Sequence, residues 1–381
     1  MLDISPLGTG YPAVWTARTI PSPTPSQDIN FYYNSQTDGL GSWSSTNLPY
    51  SSTSLYGGSD FRSESVSGNG DGSLLLGSTA CTAGPAGDAF RIPANGGTHA
   101  LTNYGTCIVS TNLRYPTFTK RGDGYPIAVW TTSKIMTVEV NANTDGTGSW
   151  SETTLRSISG VSVIGYYSSM VRLSNGGYGI YYHYRRVVIV TTNYDYIYSY
   201  TTNTAGTAGW NHVLITTSLV STDNRVGVVG VDGEGRPFIA RTGGLIIIGG
   251  SSLTIHRGID VSGTLFTNVA TVTFDAACTL AVPSRTRTVL LAGTYPAFVC
   301  TCQDNRIFLV KSTVASAAGP WVFEQIYSGS ITYSASDPTN SVSLHLNGAG
   351  YPYIAFLEKV NSTYTQAKVL TSQSTTSFFF A

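Results

Sequence analysis

One short stretch of the chain combines residue types that can move a proton beside a negatively charged group. His183 lies between Tyr182 and Tyr184 and is followed by Arg185. A base, an acid and a positive charge of this kind can carry out β-elimination on a polysaccharide, if the imidazole reaches a sugar proton at neutral pH. Tyrosine and histidine on a strand also serve as packing residues, so the sequence leaves both roles open.

The remaining histidines and the cysteines do not form a recognisable metal site. The other four histidines are scattered along the chain, at His99, His212, His256 and His345. The five cysteines are odd in number and make no disulfide framework: Cys81, Cys107, Cys278, Cys300 and Cys302. Cys300 and Cys302 point to one side of a strand, because side chains alternate. We expect buried free thiols, with one disulfide or a metal site as alternatives, and no cofactor.

The tripeptide Arg121-Gly122-Asp123 has the sequence that integrins recognise. The same residues also make the ordinary hairpin turn of a repeat that runs through the chain. We therefore expect a structural turn, with adhesion as the less favoured interpretation.

That repeat is a Gly-Tyr-Pro segment followed by an apolar strand. The clear copies begin at Gly10, Gly124 and Gly350, and weaker copies surround the other anchors. The anchor residues lie between 52 and 62 residues apart, at Tyr11, Ser73, Tyr125, Tyr178, Arg236, Tyr295 and Tyr351. Self-similarity at about 40 to 60 residues with strand-like units is typical of a β-propeller.

Each repeat reads as four strands. An Asn-Gly or Asp-Gly turn, such as Asn347-Gly348, supplies the positive φ of a hairpin before the anchor strand. The anchor strand is almost continuously apolar, as expected when neighbouring sheets cover both faces. The sequence therefore predicts an all-β fold, one seven-bladed β-propeller of four-stranded antiparallel blades. The predicted units are about 1–55, 56–113, 114–166, 167–224, 225–280, 281–337 and 338–381. Residues 2–9 supply the first inner strand, and ring closure is either abutment or strand exchange.

The start of the fourth strand carries a second motif, Asp38-Gly39-Leu40-Gly41-Ser42-Trp43, repeated from Asp145 to Trp150. This motif resembles the Asp-box (BNR) turn of sialidase-type propellers, although the glycine spacing differs and only two of the seven units keep the Asp. The resemblance implies architecture and no activity. It implies that the Asp carboxylate accepts backbone N–H groups within the loop.

Phe90-Arg91-Ile92-Pro93 is similar to the Phe/Tyr-Arg-Ile-Pro motif of sialidases, in which the arginine holds the substrate carboxylate. In that family the motif opens the first blade, whereas here it falls late in the second. Retaining sialidases also need converging arginines and a Tyr–Glu pair, and none of the six glutamates has such a context. Sialidase-like hydrolysis is thus an alternative only.

The amino-acid composition limits the kinds of partner that we expect this protein to bind. Charged residues make up 11% of the chain, well below the roughly 25% of an average soluble domain. Lys+Arg and Asp+Glu balance at 21 each, so no basic field attracts nucleic acid. No apolar run reaches the roughly 20 residues of a membrane span, and no signal peptide is visible. The Gly-, Tyr-, Ser- and Thr-rich composition favours a virion or extracellular surface.

We place the predicted binding residues on the face that carries the irregular connections. Variable loops on a rigid scaffold usually carry binding, and Arg and Tyr are enriched at binding hot spots. The candidates are Tyr166, Tyr167, His183, Tyr184, Arg185, Arg186, Arg225, Arg241, Asp304 and Arg306. Our main expectation is a non-catalytic, lectin-like binding or structural module with a glycan or protein partner, no catalytic residue and no metal. The alternative is a carbohydrate-active enzyme, either a sialidase-like hydrolase or a polysaccharide lyase.

Overall fold

The computed structural model describes residues 2–7, 10–20, 26–48, 61–66, 72–81, 84–92, 114–131, 134–144, 146, 148–159, 163–188, 191–218, 227–243, 250–284, 287–331, 342–360 and 365–372. In these residues the regular structure is β-strand, and the strands pair antiparallel into seven sheets. The all-β prediction is therefore confirmed. None of the described segments forms a helix of the length and apolarity that a membrane crossing needs.

The first three sheets follow the chain in order. The first contains β1 (Leu2–Pro6), β2 (Pro12–Ile20), β3 (Ser26–Asn34) and β4 (Trp43–Leu48). The second contains β5 (Phe61–Val66), β6 (Gly72–Cys81) and β7 (Gly84–Ile92). The third contains β8 (Arg114–Lys120), β9 (Pro126–Thr131), β10 (Ile135–Asn141) and β11 (Trp150–Ser157).

The other four sheets continue this order. The fourth contains β12 (Val163–Arg172), β13 (Tyr178–Val188), β14 (Thr191–Thr201) and β15 (Asn211–Ser218). The fifth contains β16 (Gly227–Val231), β17 (Pro237–Thr242), β18 (Ser252–Gly258) and β19 (Phe266–Thr273). The sixth contains β20 (Ala281–Pro283), β21 (Val289–Leu291), β22 (Tyr295–Cys302), β23 (Arg306–Ser312) and β24 (Trp321–Ser328). The seventh contains β25 (Val342–Leu346), β26 (Pro352–Lys359) and β27 (Thr365–Thr371).

Four of the sheets have the predicted four strands, and the sixth departs from that number by a break in its inner strand. β20 pairs with one half of β22, with Pro283 opposite Cys300. β21 pairs with the other half, with Val289 opposite Ala297. The two short strands thus occupy the place of one inner strand. In the second and seventh sheets the described residues form three strands, and the predicted aromatic strand at 377–380 lies outside the described residues.

The anchor repeat forms the second strand of each sheet, and its apolar character reflects burial on both faces. All six residues of β9 are buried, and so are the first five of β26. The turn before the anchor strand contains a glycine with positive φ, for example +92° at Gly124 and +79° at Gly350. An L-residue with a Cβ is strained in that conformation, which explains the Gly in each turn.

The hydrophobic core is divided into layers between consecutive sheets. Ile127 of the third sheet packs with Ile180 of the fourth, and Tyr198 of the fourth packs near Ile239 of the fifth. Phe238 and Phe298 lie in the layer between the fifth and sixth sheets. Each such buried side chain contributes roughly 1.5–3 kcal/mol. Successive sheets are therefore held face to face by their side chains.

The inner strands follow one another around a closed path. In order, β1 adjoins β5, β5 adjoins β8, β8 adjoins β12, β12 adjoins β16, β16 adjoins β20, β21 adjoins β25, and β25 adjoins β1. The closing contact includes hydrogen bonds from the Ser343 hydroxyl to the Asp3 carboxylate (2.8 Å) and from Gly348 N–H to the Gly10 carbonyl (3.0 Å). Because β1 pairs with β2 of its own sheet, the first and last sheets abut without exchanging that strand.

In the first and third sheets, the loop before the fourth strand depends mainly on a buried asparagine. Asn34 donates to the carbonyls of Gly39 (3.0 Å) and Gly41 (2.8 Å), and its side-chain oxygen accepts from Gln36 N–H (2.9 Å). Asn141 makes the same contacts in the third sheet. Asp38 accepts one N–H, from Leu40 (2.9 Å), while Asp145 lies outside the described residues. Asp38 thus has the predicted backbone contact, and the residue four positions earlier carries most of the loop.

The cysteines differ in part from expectation. Cys278 and Cys302 form a disulfide with a Cα–Cα distance of 5.3 Å, whereas Cys300 is a buried free thiol. The expectation of free thiols is therefore wrong for Cys278 and Cys302. The reason is tertiary, because pairing of Ala281 with Cys302 brings the segment before β20 against β22. Cys107 and the side chain of Cys81 lie outside the described residues.

Candidate functional site

The segment around His183 lies near the end of β13, where the chain leaves the second strand of the fourth sheet. Connections from second to third strands and from one sheet to the next leave from this end of the sheets, which we call the irregular-loop face. Arg241, at the end of β17, occupies the same position in the fifth sheet. The two segments therefore belong to adjacent sheets on one face of the molecule.

Side-chain alternation divides the stretch that the sequence analysis treated as one group. Tyr182 and Tyr184 point toward the third sheet, where Arg156 Nη1 donates to the Tyr182 hydroxyl (3.0 Å) and the Arg156 guanidinium lies over the Tyr184 ring (4.9 Å). His183 points the other way, with its ring centroid 6.1 Å from that of Tyr196. The predicted partnership of His183 with Tyr182 and Tyr184 is therefore wrong, because neighbouring residues of a strand face opposite sides.

His183 instead belongs to a group between the fourth and fifth sheets, which we call the polar cluster. Its members are Tyr181, His183, Tyr196, Arg241 and His256. The Tyr196 ring is central, since it stacks on Tyr181 (6.5 Å between centroids), lies beside His183, and carries the Arg241 guanidinium above it (5.1 Å). The cluster thus combines imidazole, phenol and guanidinium groups.

Arg241 is held from two sides. Its Nε donates to His256 Nε2 (3.2 Å), and its Nη1 donates to the Thr242 carbonyl (3.2 Å). Burial and the neighbouring Arg241 charge lower the pKa of His256 to about 4. His256 is therefore neutral at physiological pH and can accept a hydrogen bond from the guanidinium.

Tyr181 brings a phenol whose hydroxyl is buried and has no hydrogen-bond partner within the described residues. Burial raises the pKa of this hydroxyl above its ordinary value, although the nearby Arg241 opposes the shift. Tyr181 therefore keeps its proton at neutral pH. Buried polar groups normally have a partner, so an orphaned hydroxyl suits a site that a ligand completes.

Exposure differs across the cluster. His183, Tyr181 and Tyr196 are buried, Arg241 is half-buried and the adjacent Arg185 is exposed. Solvent therefore meets the cluster on its arginine side.

The opposite side of the fourth sheet holds a separate polar network. Arg186 Nε donates to the Asp195 carboxylate (2.9 Å), which also accepts from the Thr217 hydroxyl (2.7 Å). These two hydrogen bonds lower the pKa of Asp195 against the opposing effect of burial, which is the largest single influence. Arg186 is thus tied to its own sheet and not to the polar cluster.

Asp304 and Arg306 lie in the sixth sheet and contact each other. Arg306 Nε donates to Asp304 Oδ2 (2.6 Å), and its two terminal nitrogens bind both carboxylate oxygens of Asp275 (2.7 and 2.5 Å). The Arg306 hydrogen bonds hold the pKa of Asp275 at about 2. This network joins the segment after β19 to the turn before β23, and it includes no member of the polar cluster.

The remaining predicted residues are less completely described. Tyr166 and Tyr167 lie on β12 where the pairing with β13 is irregular, between Ile164 and Ser168, and this bulge is opposite His183. Their side chains and all of Arg225 lie outside the described residues. The side chain of Arg91, from the sialidase-like motif, is also outside them.

The described residues include a Tyr–Glu pair on the irregular-loop face, between the sixth and seventh sheets. The Tyr327 hydroxyl donates to Glu358, which also binds Lys368 (2.7 Å) and Gln366 (2.7 Å). The Lys368 and Tyr327 hydrogen bonds lower the pKa of Glu358 to about 2, while burial and Glu358 raise the pKa of Tyr327 to about 12. Glu358 is therefore a weak base, which limits its ability to activate the Tyr327 phenol as a nucleophile.

The sequence analysis missed three members of the polar cluster. Tyr181 and Tyr196 share a sheet face with His183, which the alternation rule alone indicates for Tyr181. The contact of His256 with Arg241 has no sequence signal beyond its residue types. The described residues contain no group of His, Cys, Asp and Glu side chains that could hold a metal ion.

Comparisons with solved structures support a β-propeller fold. No family model matches the chain, and no curated protein matches it. Among solved structures it is similar to the polysaccharide lyase Uly1, at 14% identity and a TM-score of 0.59, over 96% of this chain and 89% of that one. It is also similar to the α-L-arabinofuranosidase Arb93A of Fusarium graminearum, at 13% identity and a TM-score of 0.50, over 97% of this chain and 92% of that one.

These neighbours correct the main functional expectation. The sequence analysis favoured a non-catalytic, lectin-like or particle-surface module, whereas the similar structures are a polysaccharide lyase and an α-L-arabinofuranosidase. That expectation is therefore wrong, and the findings agree better with the stated alternative, a carbohydrate-active enzyme. The composition that suggested a particle surface is equally compatible with a strand-rich enzyme, because Gly, Ser, Thr and Tyr suit turns and half-buried strands.

Proposed function

We propose that this protein is a carbohydrate-active enzyme that cleaves an acidic polysaccharide by β-elimination at the polar cluster. The observation that carries the proposal is the convergence of His183, Tyr181 and Arg241 around the Tyr196 ring. A base, a proton donor and a fixed positive charge are the three groups that this reaction requires.

In the proposed reaction, the Arg241 guanidinium binds the uronate carboxylate and stabilises the charge that develops there. His183 removes the proton from the carbon next to the carboxylate. The electron pair of that C–H bond forms a carbon–carbon double bond as the glycosidic C–O bond on the next carbon breaks. The departing oxygen takes a proton from the Tyr181 hydroxyl, whose raised pKa keeps it protonated until then. Arg185, exposed beside the cluster, is proposed to contact the glycan.

Elimination agrees better than hydrolysis with the carboxylates described on the irregular-loop face. Hydrolases of the usual kind need one carboxyl group with a raised pKa and a second one nearby. On the irregular-loop face, Asp195, Asp275 and Glu358 all have lowered pKa values because Arg or Lys side chains hold them. The fold is also similar to that of a polysaccharide lyase, which agrees with this choice.

We further propose that the seven sheets are the seven blades of a single propeller. The closed path of inner strands and the core layers between consecutive sheets support this count. The broken inner strand of the sixth sheet is then one strand of one blade. The turns around Asp38 are proposed to be degenerate Asp-box turns in which Asn34 has taken over the bonding.

Of the predicted binding residues, the proposal uses His183, Arg185 and Arg241. Tyr166 and Tyr167 stay predicted binding residues. The bulge that contains their backbones lies opposite His183. Tyr184, Arg186, Asp304 and Arg306 are proposed to stabilise the face, since ring contacts and ion pairs within the protein already engage them.

The test is incubation with uronate polymers such as polygalacturonate, alginate and hyaluronan, beside neutral arabinan. We expect unsaturated uronate ends, detected by their ultraviolet absorbance, on at least one acidic polymer. His183→Gln should lower kcat by roughly 10²–10⁴-fold, the usual contribution of a general base. His212→Gln, on β15 of the same sheet, is the control and should leave kcat unchanged. Release of saturated reducing ends only, or cleavage of arabinan alone, would overturn elimination in favour of hydrolysis.

A further inference from the structure

We propose that His256 is a positioning residue that holds the Arg241 guanidinium in the polar cluster without neutralising it, so that its free edge binds a glycan carboxylate. The inference rests on the proposed function for the identity of the ligand. Its physical basis is independent of the reaction, since it concerns the partners of one guanidinium.

The first step is a count of hydrogen-bond donors. A guanidinium has five N–H groups. In Arg241, Nε donates to His256 and Nη1 donates to the Thr242 carbonyl. Within the described residues, the Nη2 group has no hydrogen-bond partner, and the face of the guanidinium lies over the Tyr196 ring. The edge that can grip a carboxylate is therefore available and its orientation is set.

The second step is a comparison with the other tethered arginines. Asp195 pairs with Arg186, Asp232 and Glu234 pair with Arg257, and Asp275 and Asp304 pair with Arg306. A carboxylate partner fixes a guanidinium and also cancels its charge. Arg241 is fixed by an imidazole and a carbonyl, so its charge stays available to a ligand.

The third step is the protonation state of His256. The Arg241 Nε donates to its Nε2, so that nitrogen must carry a lone pair and the ring must be neutral. Only 7% of His256 is exposed, and burial beside a cation disfavours a second positive charge. The tether therefore stays neutral over the pH range in which a lyase works.

The experiment replaces His256 by three side chains that separate tethering from neutralisation. His256→Gln supplies a neutral acceptor, His256→Glu supplies an ionised acceptor, and His256→Leu supplies none. Binding of trigalacturonate and of neutral galactotriose is measured by calorimetry, and thermal unfolding checks that each variant folds.

We expect His256→Gln to bind trigalacturonate within about threefold of the natural protein. His256→Glu and His256→Leu should weaken it by roughly ten- to hundredfold, the equivalent of one hydrogen bond to a charged group. Galactotriose affinity should not change. Equal losses for the Gln and Leu variants, or equal losses on both sugars, would indicate a merely structural histidine and overturn the inference.

The control is the second Arg–His pair, in which Arg287 Nη1 lies 3.3 Å from His345 Nε2 between the sixth and seventh sheets. His345→Gln and His345→Glu should leave trigalacturonate affinity unchanged. If they reproduce the His256 pattern, the effect comes from the overall charge of the protein and the inference fails.

A measurement without glycan separates this inference from the proposed function. Phenylglyoxal reacts with deprotonated guanidinium groups, and peptide mass spectrometry locates the labelled residue. Arg241 should react faster than Arg306 in the natural protein, and His256→Glu should slow it severalfold while His256→Gln does not. Equal labelling of Arg241 in all three proteins overturns the tether. Normal labelling and uronate binding without unsaturated product would overturn the elimination alone.

Discussion

At the scale of single residues, the molecule uses burial to choose which acid–base groups keep their protons. Tyr181 and His256 are both held neutral by burial, one as a proton donor and one as an acceptor. The carboxylates of Asp275 and Glu358 are held ionised by Arg306 and Lys368. Among the described groups of the irregular-loop face, we therefore expect proton-transfer chemistry at the polar cluster.

Glu139 is the described carboxyl group whose pKa is raised, and it lies away from that face, in β10. Burial is the main cause and Glu152 adds to it, so the pKa reaches about 8 although the nearby Trp130 indole opposes the shift. Its Oε1 atom, like the Trp130 indole nitrogen, is buried and has no hydrogen-bond partner among the described residues. An ionised Glu139 would therefore be an uncompensated charge between strands.

We predict that Glu139 destabilises the protein as the pH rises. The folded pKa lies above the unfolded value of 4.5, so the native state binds the proton more tightly. Its stabilising effect is complete below about pH 4.5 and is lost as the pH rises through 8. Glu139→Gln should raise the free energy of unfolding at pH 9 by up to about 5 kcal/mol and change it little at pH 4.5. Urea unfolding across this range measures it.

The matched control is Glu152→Gln on β11, opposite Glu139 in the register. Glu152 is exposed, so its removal should change stability little at pH 4.5 and raise it by no more than about 1 kcal/mol at pH 9, through the lost repulsion of ionised Glu139. Parallel stability–pH curves for the natural protein and Glu139→Gln would show that the carboxyl is not protonated in the fold.

At the scale of elements, each sheet depends on its turns for register. The buried amide of Asn34 bridges both sides of the loop between β3 and β4, with three hydrogen bonds of 2.8 to 3.0 Å. The half-buried Asp38 adds one more. Asp38, which marks the motif in the sequence, is therefore not the residue that contributes most to the loop.

We predict different costs for the two side chains. Asn34→Ala should lower the free energy of unfolding by roughly 2 kcal/mol, because it leaves buried backbone groups unpaired. Asp38→Ala, the control in the same loop, should cost about 0.5 kcal/mol, because water replaces its bond. Chemical denaturation compares the two, and a larger loss for Asp38→Ala would contradict the structure.

At the scale of the whole molecule, stability depends on closing the path of sheets. The first and seventh sheets meet through the Ser343–Asp3 bond, the Gly348–Gly10 bond and a bond from Asn347 to the Asp38 carbonyl (2.9 Å). These contacts join residues more than 300 positions apart, so they form late and at a large cost in chain entropy. The apolar layer of Leu2, Ile4, Val14 and Tyr353 supports them.

We predict that weakening this junction accelerates unfolding. Ser343→Ala removes a donor from a buried carboxylate and should lower the free energy of unfolding by roughly 1–3 kcal/mol. Contacts between distant segments are usually absent from the folding transition state, so the change should fall mainly on the unfolding rate. Stopped-flow unfolding tests this, with Ser44→Ala on the exposed part of β4 as the control. An effect confined to the folding rate would mean that the junction forms early.

Local patterns were enough for the architecture. Repeated Gly-Tyr-Pro anchors with apolar strands indicate sheets and their order, because strand period and turn chemistry act over a few residues. The predicted inner strand at residues 2–9 is confirmed as β1, Leu2–Pro6. The sequence did not indicate which cysteines would form a disulfide. The pairing of Cys278 with Cys302 depends on how the chain returns to pair β20 with β22.

What the sequence by itself determined is the class of fold and the face on which His183 and Arg241 lie, since both follow from short-range periodicity. Only the tertiary structure decided which side chains meet there. Alternation along β13 turns His183 away from Tyr182 and Tyr184, and packing of the fifth sheet against the fourth brings Arg241 and His256 to the Tyr196 ring. Chemistry at an interface between two sheets depends on contacts between residues some 60 positions apart, and no local pattern specifies those.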